Sequence, residues 1–226
     1  YDSVRNSIGY PHLNVKIGAT HAGITLGEDG ASHQMLEDIA LMRAIPGMTV
    51  ISPADAVSTN ALVKLAAEMY GPVYLRLGRL DVPVIYDADT RFEIGKGVQL
   101  REGNDITIIA TGFMVDPALK AAEMLKDGGV SARVIDIHTI KPIDKDIIIK
   151  AAKETGAILT CEEHNVFGGL GSAVSEVVVK NCPVPMDMVG LEDTFGESGK
   201  PYELVEKYGL TPENIYNKAK LLLSRK

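Results

Sequence analysis

The chain has 226 residues, of which 46% are hydrophobic, so it can bury one large or two smaller cores. Its formal net charge is −7 and it carries no basic cluster, so we expect no nucleic-acid partner. No apolar run approaches the roughly 20 residues of a membrane-spanning helix, and we expect no membrane partner. The two cysteines, Cys161 and Cys182, lie in different predicted elements and form no disulfide framework, which favours a reducing cytoplasm.

The first half of the chain alternates predicted strands and helices. Residues 1–8 have apolar side chains at helical spacing, but nothing precedes them that could start a helix or supply a neighbouring strand. We therefore expect the first domain to be incomplete at its N-terminus. Hydrophobic patterning then predicts, in order, a strand at 15–19, a helix at 33–44, a strand at 49–52, a helix that begins near Asp55 and ends near Gly71, and a strand at 73–77.

Residues 83–104 are predicted to connect two domains, because prolines, aspartates and glycines interrupt any long hydrophobic period there. The second half alternates again, with predicted strands at 106–110, 132–137, 157–160 and 186–189 and predicted helices at 116–126, 144–154, 170–180, 202–208 and after Thr211. Such alternation predicts parallel sheets covered by helices. The expected fold class is α/β, with two parallel-sheet, three-layer domains at 1–82 and 105–226.

The most informative segment is residues 20–34, which join a predicted strand to a predicted helix. It contains His21 and His33 on either side of an acidic pair, together with three glycines. Parallel α/β sheets place their ligand crevice at the carboxyl ends of strands, and glycines let backbone approach a substrate closely. Imidazole transfers protons near neutral pH, and a carboxylate such as Asp29 can hold a substrate hydroxyl. This loop is therefore predicted to line an active site.

Two arginines, Arg76 and Arg79, lie at the carboxyl end of the strand predicted at 73–77, on the same edge of the sheet as the loop. A planar guanidinium suits a phosphate group, which makes both arginines candidate ligand residues. The alternative is a pair of solvated arginines at a sheet edge. The residues alone leave both interpretations open.

Three further patterns are weaker. Residues 169–173 resemble part of a dinucleotide-binding loop, but seven residues separate them from the preceding strand, so a flexible glycine loop accounts for them better. Cys161 and His164 are possible metal ligands, but a zinc site needs three or four ligands and no second pair is visible, so we predict no metal site. We interpret the charged residues 162–164 as an interface or a solvated strand end.

These motifs, taken in their order along the chain, resemble the transketolase family. In the first half, residues 21–34 read HAGITLGEDGASHQ, followed by LMRAIP at 41–46, SPAD at 52–55 and a strand that ends near Arg79. In the second half, the similar motifs are TG at 111–112, DIHTIKPID at 136–144 and EEHN at 162–165. The resemblance covers essentially the whole chain. It is strongest to the C-terminal section of a transketolase encoded as two polypeptides, although the corresponding part of a single long chain would read almost the same.

The resemblance implies an activity and a role for each candidate residue. Transketolases move a two-carbon ketol unit from a ketose phosphate to an aldose phosphate, with thiamin diphosphate as cofactor. By similarity, His33 lies beside the reactive carbon of the cofactor, as both catalytic and cofactor-binding residue. Asp29 holds the hydroxyl next to the acceptor carbonyl, and His21 with Arg79 contacts the substrate phosphate or distal hydroxyls. Arg76 departs from many transketolases, which carry an uncharged residue there.

The resemblance also implies parts that this chain does not contain. The family's cofactor-activating glutamate and the aromatic residues that hold the aminopyrimidine precede a position that matches Tyr1. The motif that binds Mg²⁺ and diphosphate belongs to another domain or polypeptide. The resemblance therefore implies an N-terminal transketolase section as partner, Mg²⁺ bound by that partner, and a homodimer or heterotetramer, with this chain inactive on its own.

Three alternatives stay open at this point. The β-subunits of 2-oxo-acid dehydrogenases share both domains and the cofactor but generally lack the full motif from His21 to His33. Deoxyxylulose-phosphate synthases usually lack a histidine at the place of His21. The non-enzyme alternative is a scaffold that uses these domains only for subunit association.

Overall fold

The computed structural model describes residues 1–226 and contains nine strands and seven α-helices. The strands are β1 (Lys16–Ala19), β2 (Thr49–Ile51), β3 (Val73–Arg76), β4 (Val98–Arg101), β5 (Ile106–Ala110), β6 (Ala132–Asp136), β7 (Thr139–Lys141), β8 (Ile158–Asn165) and β9 (Met186–Leu191). The α-helices are α1 (Asp38–Ala44), α2 (Ala56–Glu68), α3 (Val115–Asp127), α4 (Lys145–Thr155), α5 (Leu170–Asn181), α6 (Pro201–Lys207) and α7 (Pro212–Leu223). Short helical turns of other types occupy Val4–Gly9, Ile24–Asp29 and Gly112–Met114. No helix combines the length and apolar character that a membrane crossing requires.

The first sheet has the strand order β1-β3-β2-β7, and its first three strands are parallel. Successive side chains of a strand point to opposite faces, so the neighbours Val50 and Ile51 serve different layers. Ile51 clusters with Leu62 of α2, whereas Val50 clusters with Ile39 of α1. The carboxyl ends of the three parallel strands therefore meet at one edge, between two helical layers.

The second sheet has the strand order β4-β6-β5-β8-β9, and its last four strands are parallel. Both of its faces are buried, as the continuous apolar runs of its central strands require. On one face Ile108 clusters with Leu125 of α3 and Leu222 of α7. On the other face Ile109 clusters with Ile148 of α4. The second half is thus a three-layer domain.

The two halves of the chain share a strand and a core. β7 comes from the second half but pairs antiparallel with β2 of the first sheet. One hydrophobic cluster contains Met42 from the first half together with Ile137 and Val174 from the second. The carboxyl ends of β2 and β5 also meet, since Thr111 Oγ1 donates to the Ser52 carbonyl at 3.3 Å. The strand ends of both sheets therefore lie along one seam.

The expected two-domain α/β fold is confirmed, but the sheets are mixed rather than wholly parallel, because β4 and β7 run antiparallel at their edges. β4 lies inside the segment 83–104 that the sequence pattern predicts to be a connector. Residues 33–37 are turns rather than helix, since their backbone bonds back to the preceding loop, and α1 begins at Asp38. β8 runs on to Asn165, well past the predicted 157–160, because β9 pairs with it as far as Leu191.

Candidate active site

The loop of residues 20–34 leaves β1 at its carboxyl end and folds back on itself. The Ala22 N–H donates to the Leu77 carbonyl at 3.2 Å, and the Gly23 N–H donates to the Met35 carbonyl at 2.9 Å. Ala22 and Met35 also form an isolated parallel bridge. These bonds satisfy backbone groups beyond the end of β3 and hold the two ends of the loop together. The two histidines, His21 and His33, lie next to the two ends that these bonds hold together.

Gln34 holds the interior of the loop against the second half of the chain. Its side chain is only 6% exposed. Its Nε2 lies 3.2 Å from the carbonyl oxygens of Ile24 and Gly27 and 2.9 Å from that of Glu197. An amide nitrogen has two hydrogens, so the three carbonyls share them. The loop is therefore fixed from inside as well as at its ends.

The second domain also contacts the loop through Glu163 of β8. This carboxylate is 3% exposed, and its Oε1 accepts a hydrogen bond of 2.8 Å from the Thr25 N–H. Gly23 has a φ of +90°, and a Cβ there would lie 2.2 Å from the carboxylate carbon of Glu163. Only glycine fits this position, because any side chain would both strain the backbone and overlap the carboxylate.

The four predicted site residues His21, Asp29, His33 and Arg79 are all exposed and lie in this loop or just beyond the end of β3. Arg79 Nη1 lies 3.9 Å from Asp29 Oδ2 and 3.8 Å from Glu28 Oε2. The structure therefore brings Asp29 and Arg79 together. Exposed ion pairs of this kind contribute little to stability. Arg79 Nη1 also donates to the Leu26 carbonyl, which leaves the other guanidinium N–H groups and the Asp29 carboxylate available to a ligand.

Each histidine ring is hydrogen-bonded to the hydroxyl of the residue before it. His21 Nδ1 lies 2.9 Å from Thr20 Oγ1, and His33 Nδ1 lies 3.0 Å from Ser32 Oγ. These bonds occupy one ring nitrogen and leave Nε2 of each exposed ring to bind a ligand or transfer a proton. His21 has a φ of +67°, a left-handed conformation that costs a non-glycine residue roughly 1–3 kcal/mol. Such strain is typical of residues whose position serves a site.

Arg76 is neither a solvated edge residue nor a candidate phosphate ligand, which resolves the two interpretations left open for it. Its side chain is 7% exposed, and its Nε bonds to Asp38 Oδ2 at 2.8 Å. Its Nη2 donates to the Glu163 carbonyl at 2.9 Å and to the Met35 carbonyl at 3.3 Å. Arg76 therefore connects α1, the backbone at the end of the loop and β8.

The interpretation of residues 162–164 as a solvated strand end is wrong, because all three side chains are buried. The Glu162 carboxylate accepts hydrogen bonds from the N–H groups of Leu170 at 2.6 Å and Gly171 at 2.8 Å, at the start of α5. Burial raises the pKa of Glu162 to about 7. Burial, followed by the charge of Arg76, lowers the pKa of His164 to about 4. These groups are internal parts of the seam between the two domains.

A cleft of about 330 Å³ opens at the carboxyl ends of β1, β2 and β3. Its wall combines apolar side chains with three carboxylates, those of Asp55, Asp81 and Glu163, and it is also lined by Thr20, Leu77 and Phe113. Asp55 is already engaged, since its oxygens accept bonds from Ser58 and from the Ile85 and Tyr86 N–H groups. No group of three or more acidic, histidine or cysteine side chains is placed to hold a metal ion. A larger cleft, of about 490 Å³, lies elsewhere and contains none of the loop residues.

Comparison with known proteins gives a consistent result for both halves of the chain. Residues 1–84 match the family described as the transketolase pyrimidine-binding domain, and residues 95–215 match the transketolase C-terminal domain. A protein of Methanocaldococcus jannaschii described as a transketolase C-terminal section is 51% identical over 95% of this chain and 68% of its own length. A 6-deoxy-6-sulfo-D-fructose transketolase subunit of Clostridium sp. is 44% identical over 100% of this chain and 70% of its own length. The transketolase of Rattus norvegicus is 39% identical, and the match covers 36% of it.

Solved structures show the same likeness. The structure described as a split gene transketolase, inactive beta4 tetramer, superposes with a TM-score of 0.93 at 52% identity, over 99% of this chain and 71% of that chain. A transketolase variant from Pichia stipitis superposes with a TM-score of 0.79 at 28% identity, over 99% of this chain and 32% of that chain. The chain therefore belongs to the transketolase family, whose members depend on thiamin diphosphate.

Proposed function

We propose that this chain supplies the substrate-facing wall of a transketolase site that transfers a two-carbon ketol unit from a ketose phosphate to an aldose phosphate. The observation that carries this proposal is the 20–34 loop. Hydrogen bonds to Leu77 and Met35 hold it at the carboxyl ends of the strands, and it carries two exposed histidines together with Asp29, which lies 3.9 Å from Arg79. The matches to both transketolase domains support the assignment.

The proposed roles follow from the chemistry of each side chain. Asp29 accepts a charge-assisted hydrogen bond from the hydroxyl next to the acceptor carbonyl. Arg79 and His21 hold the distal phosphate, because a guanidinium presents several donors in one plane and an exposed imidazole adds another. His33 is the catalytic residue, which moves a proton to or from the donor oxygen through its exposed Nε2.

Part of thiamin diphosphate fits the residues that are present. The cleft beside Leu77 and Phe113 has the apolar wall that a flat ring requires. No cluster of carboxylates or histidines there could hold the metal of a metal–diphosphate group. On this proposal His33 and the cleft wall would contact the cofactor, which when bound would stabilise negative charge on the donor carbon. Mg²⁺ would be held by the partner domain or section.

The proposed assembly is a homodimer or heterotetramer that includes an N-terminal transketolase section. Two relatives named as a section or a subunit support it, since this chain spans 68% and 70% of their lengths. The split-gene structure described as an inactive tetramer supports the proposal that such a section is inactive alone. We propose the division 1–82, 83–104 and 105–226 for the pyrimidine-binding part, the connector and the C-terminal domain, and a cytoplasmic location.

The substrate pair is proposed to be pentose phosphates, as in the pentose phosphate pathway. The names of two relatives refer to 6-deoxy-6-sulfo-D-fructose and to apulose-4-phosphate. Sulfonate and phosphate are both tetrahedral oxyanions that a guanidinium can bind with several hydrogen bonds. Arg79 therefore suits either group, and the shape of the site beside Asp29 would select the sugar.

Calorimetry tests the division of labour between this chain and its partner. Thiamin diphosphate with Mg²⁺ would be titrated into this chain alone, into the N-terminal section alone and into the two together. We expect tight binding only for the mixture, because no cluster of side chains on this chain is placed to hold the metal of a metal–diphosphate group. Tight, Mg²⁺-dependent binding by this chain alone would contradict the proposal.

A further inference from the structure

Glu163 lines the cleft but takes no part in the proposed proton transfer or substrate binding, and from the second domain its carboxylate reaches the 20–34 loop. It lies on β8, is almost fully buried and accepts the Thr25 N–H at 2.8 Å. Burying a carboxylate is costly unless it is hydrogen-bonded or paired. A carboxylate kept at this position therefore has a structural or functional reason to be there.

The contact surface between Glu163 and the loop is closely complementary. The carboxylate fills the volume that a side chain on Gly23 would occupy, with its Oε1 also 2.2 Å from that Cβ position. The same Oε1 accepts a hydrogen bond from the N–H of Thr25, two residues after Gly23. Glu163 thus contacts the loop on both sides of Ile24, in the short segment that connects His21 to Asp29.

Glu163 is itself held in place from the first domain. Arg76 Nη2 donates to the Glu163 carbonyl and to the Met35 carbonyl, which lies just beyond the far end of the loop. Burial raises the pKa of Glu163, whereas the positive charge of Arg76 opposes that rise. The Arg76 and Glu163 side chains therefore contact both the outgoing and the returning part of the loop.

We propose that Glu163 is a positioning residue, through which the C-terminal domain fixes the conformation of the loop that carries His21, Asp29 and His33. The hydrogen bond to Thr25 fixes the backbone between these side chains, so its loss shifts them relative to the strand ends. A shift of about 1 Å in a catalytic group can cost roughly 100-fold in rate. The catalytic consequence of this proposal rests on the proposed function, but the conformational one does not.

Glu162 is a matched control. It is the adjacent residue on β8 and is equally buried, but its carboxylate bonds only to Leu170 and Gly171 of the C-terminal domain. Shortening this side chain in Glu162→Asp should weaken the hydrogen bonds at the start of α5 and leave the 20–34 loop unchanged.

Two conservative substitutions separate the possible roles of Glu163. Glu163→Gln keeps the length and an acceptor oxygen but removes the charge, whereas Glu163→Asp keeps the charge but withdraws the acceptor from Thr25. If a hydrogen bond positions the loop, Glu163→Gln should keep the wild-type loop conformation and Glu163→Asp should not. If the negative charge positions the loop, Glu163→Asp should keep that conformation and Glu163→Gln should not. If Glu163 only fills space, Glu163→Met behaves as well as Gln.

Amide hydrogen exchange of the reconstituted two-section protein tests the proposal without an activity assay. For Glu163→Asp we expect exchange of residues 23–27 to rise about tenfold or more, with Gln near the wild type and α5 unchanged. Glu162→Asp should show the opposite pattern. In the same preparations, kcat for ketol transfer should fall roughly 10–100-fold with Asp and remain near wild type with Gln. Unchanged loop exchange in Glu163→Asp, or rescue by Met, would overturn the proposal. A wild-type protein with protected loop amides but no ketol transfer would instead contradict the proposed function.

Discussion

Arg76 and Asp38 form a buried ion pair beneath the 20–34 loop, with Arg76 Nε 2.8 Å from Asp38 Oδ2. Tyr74 donates its hydroxyl to the same carboxylate oxygen at 2.7 Å. Burial opposes ionisation of Asp38, but Arg76 and Tyr74 outweigh it and hold its pKa below the ordinary value. The pair connects β3 to the first turn of α1, and Arg76 continues the connection to the loop and β8. The loop that carries the candidate residues is therefore supported by a charged network.

Substituting Arg76 by Met should destabilise the protein by about 3–5 kcal/mol, because it leaves a buried carboxylate without its counter-charge. Urea unfolding of the two-section protein measures this loss. Lys120→Met is the control, since Lys120 pairs with Asp116 at 2.7 Å on the surface of α3 and should cost no more than about 0.5 kcal/mol. Equal losses for the two variants would show that the Arg76 pair is not a significant source of stability.

Arg79→Ala tests the proposed phosphate contact. Loss of hydrogen bonds to a charged group should weaken kcat/KM for phosphorylated substrates by about 1.5–3 kcal/mol, or roughly 10- to 100-fold. Non-phosphorylated analogues of the same sugars should react almost as well as with the wild type. Arg91→Ala, at an exposed arginine of the 83–104 segment, is the control. If both substrate classes lose equally, Arg79 has a structural role instead.

Substitutions of Asp29 and of His33 should change the kinetics of ketol transfer in different ways. Asp29→Ala should reduce discrimination between 2-hydroxyaldehyde acceptors and their deoxy or epimeric analogues, because an oriented hydrogen bond rejects a substrate that lacks its partner. His33→Ala should slow turnover of every donor by roughly 10²–10⁴-fold and leave acceptor ranking intact. Paired-acceptor kinetics measures both effects, and Glu28→Ala, at the adjacent exposed carboxylate, should leave the ranking unchanged. The reverse pattern would mean that the two roles are assigned the wrong way round.

Asp136 makes stability depend on pH. It is fully buried, accepts the Tyr86 hydroxyl at 2.6 Å, and burial raises its pKa to about 7. Because the folded protein favours the protonated form, this stabilising contribution is complete at low pH and is lost as pH rises through about 7. Between pH 5 and pH 7 the unfolding free energy of the wild type should therefore fall relative to that of Asp136→Asn, on the order of 1 kcal/mol per pH unit, and the difference should level off at higher pH. If the unfolding free energies of the wild type and Asp136→Asn changed with pH in parallel, this assignment would be contradicted. Asp89→Asn, at an exposed site, is the control and should change in parallel with the wild type.

Much of the fold follows from local pattern. The buried strand Ile106–Ala110 matches its predicted bounds, because a run of β-branched residues bounded by polar ones has few other structures available. The helix after Thr211 begins as predicted, since the Thr211 side chain accepts the Asn214 N–H. In contrast, β7 has three residues, and only its pairing with β2, far away in the chain, makes it a strand. Local periodicity contains no such information.

The candidate site likewise has residues whose location the sequence pattern predicts and residues whose location depends on distant contacts. The histidines, Asp29 and Arg79 are exposed in segments that follow the carboxyl ends of β1 and β3, which a strand–loop–helix pattern predicts. For Glu162 and Glu163 the composition predicts an interface or a solvated strand end, since a charged residue is seldom buried without a partner. Their partners are N–H groups at the start of α5 and at Thr25, which are distant in sequence. The one available signal was their position directly after the apolar run 157–161.

Ketol transfer by a reconstituted enzyme tests the central proposal most directly. This chain, extended to the full length of a split relative, would be combined with an N-terminal transketolase section, thiamin diphosphate and Mg²⁺, and assayed with a ketopentose phosphate donor and an aldopentose phosphate acceptor. We predict transfer only when both sections are present, and its loss when His33 is replaced by Ala. No transfer by the complete mixture, or undiminished transfer when this chain is omitted, would contradict the proposal that it forms the substrate-facing wall of a transketolase.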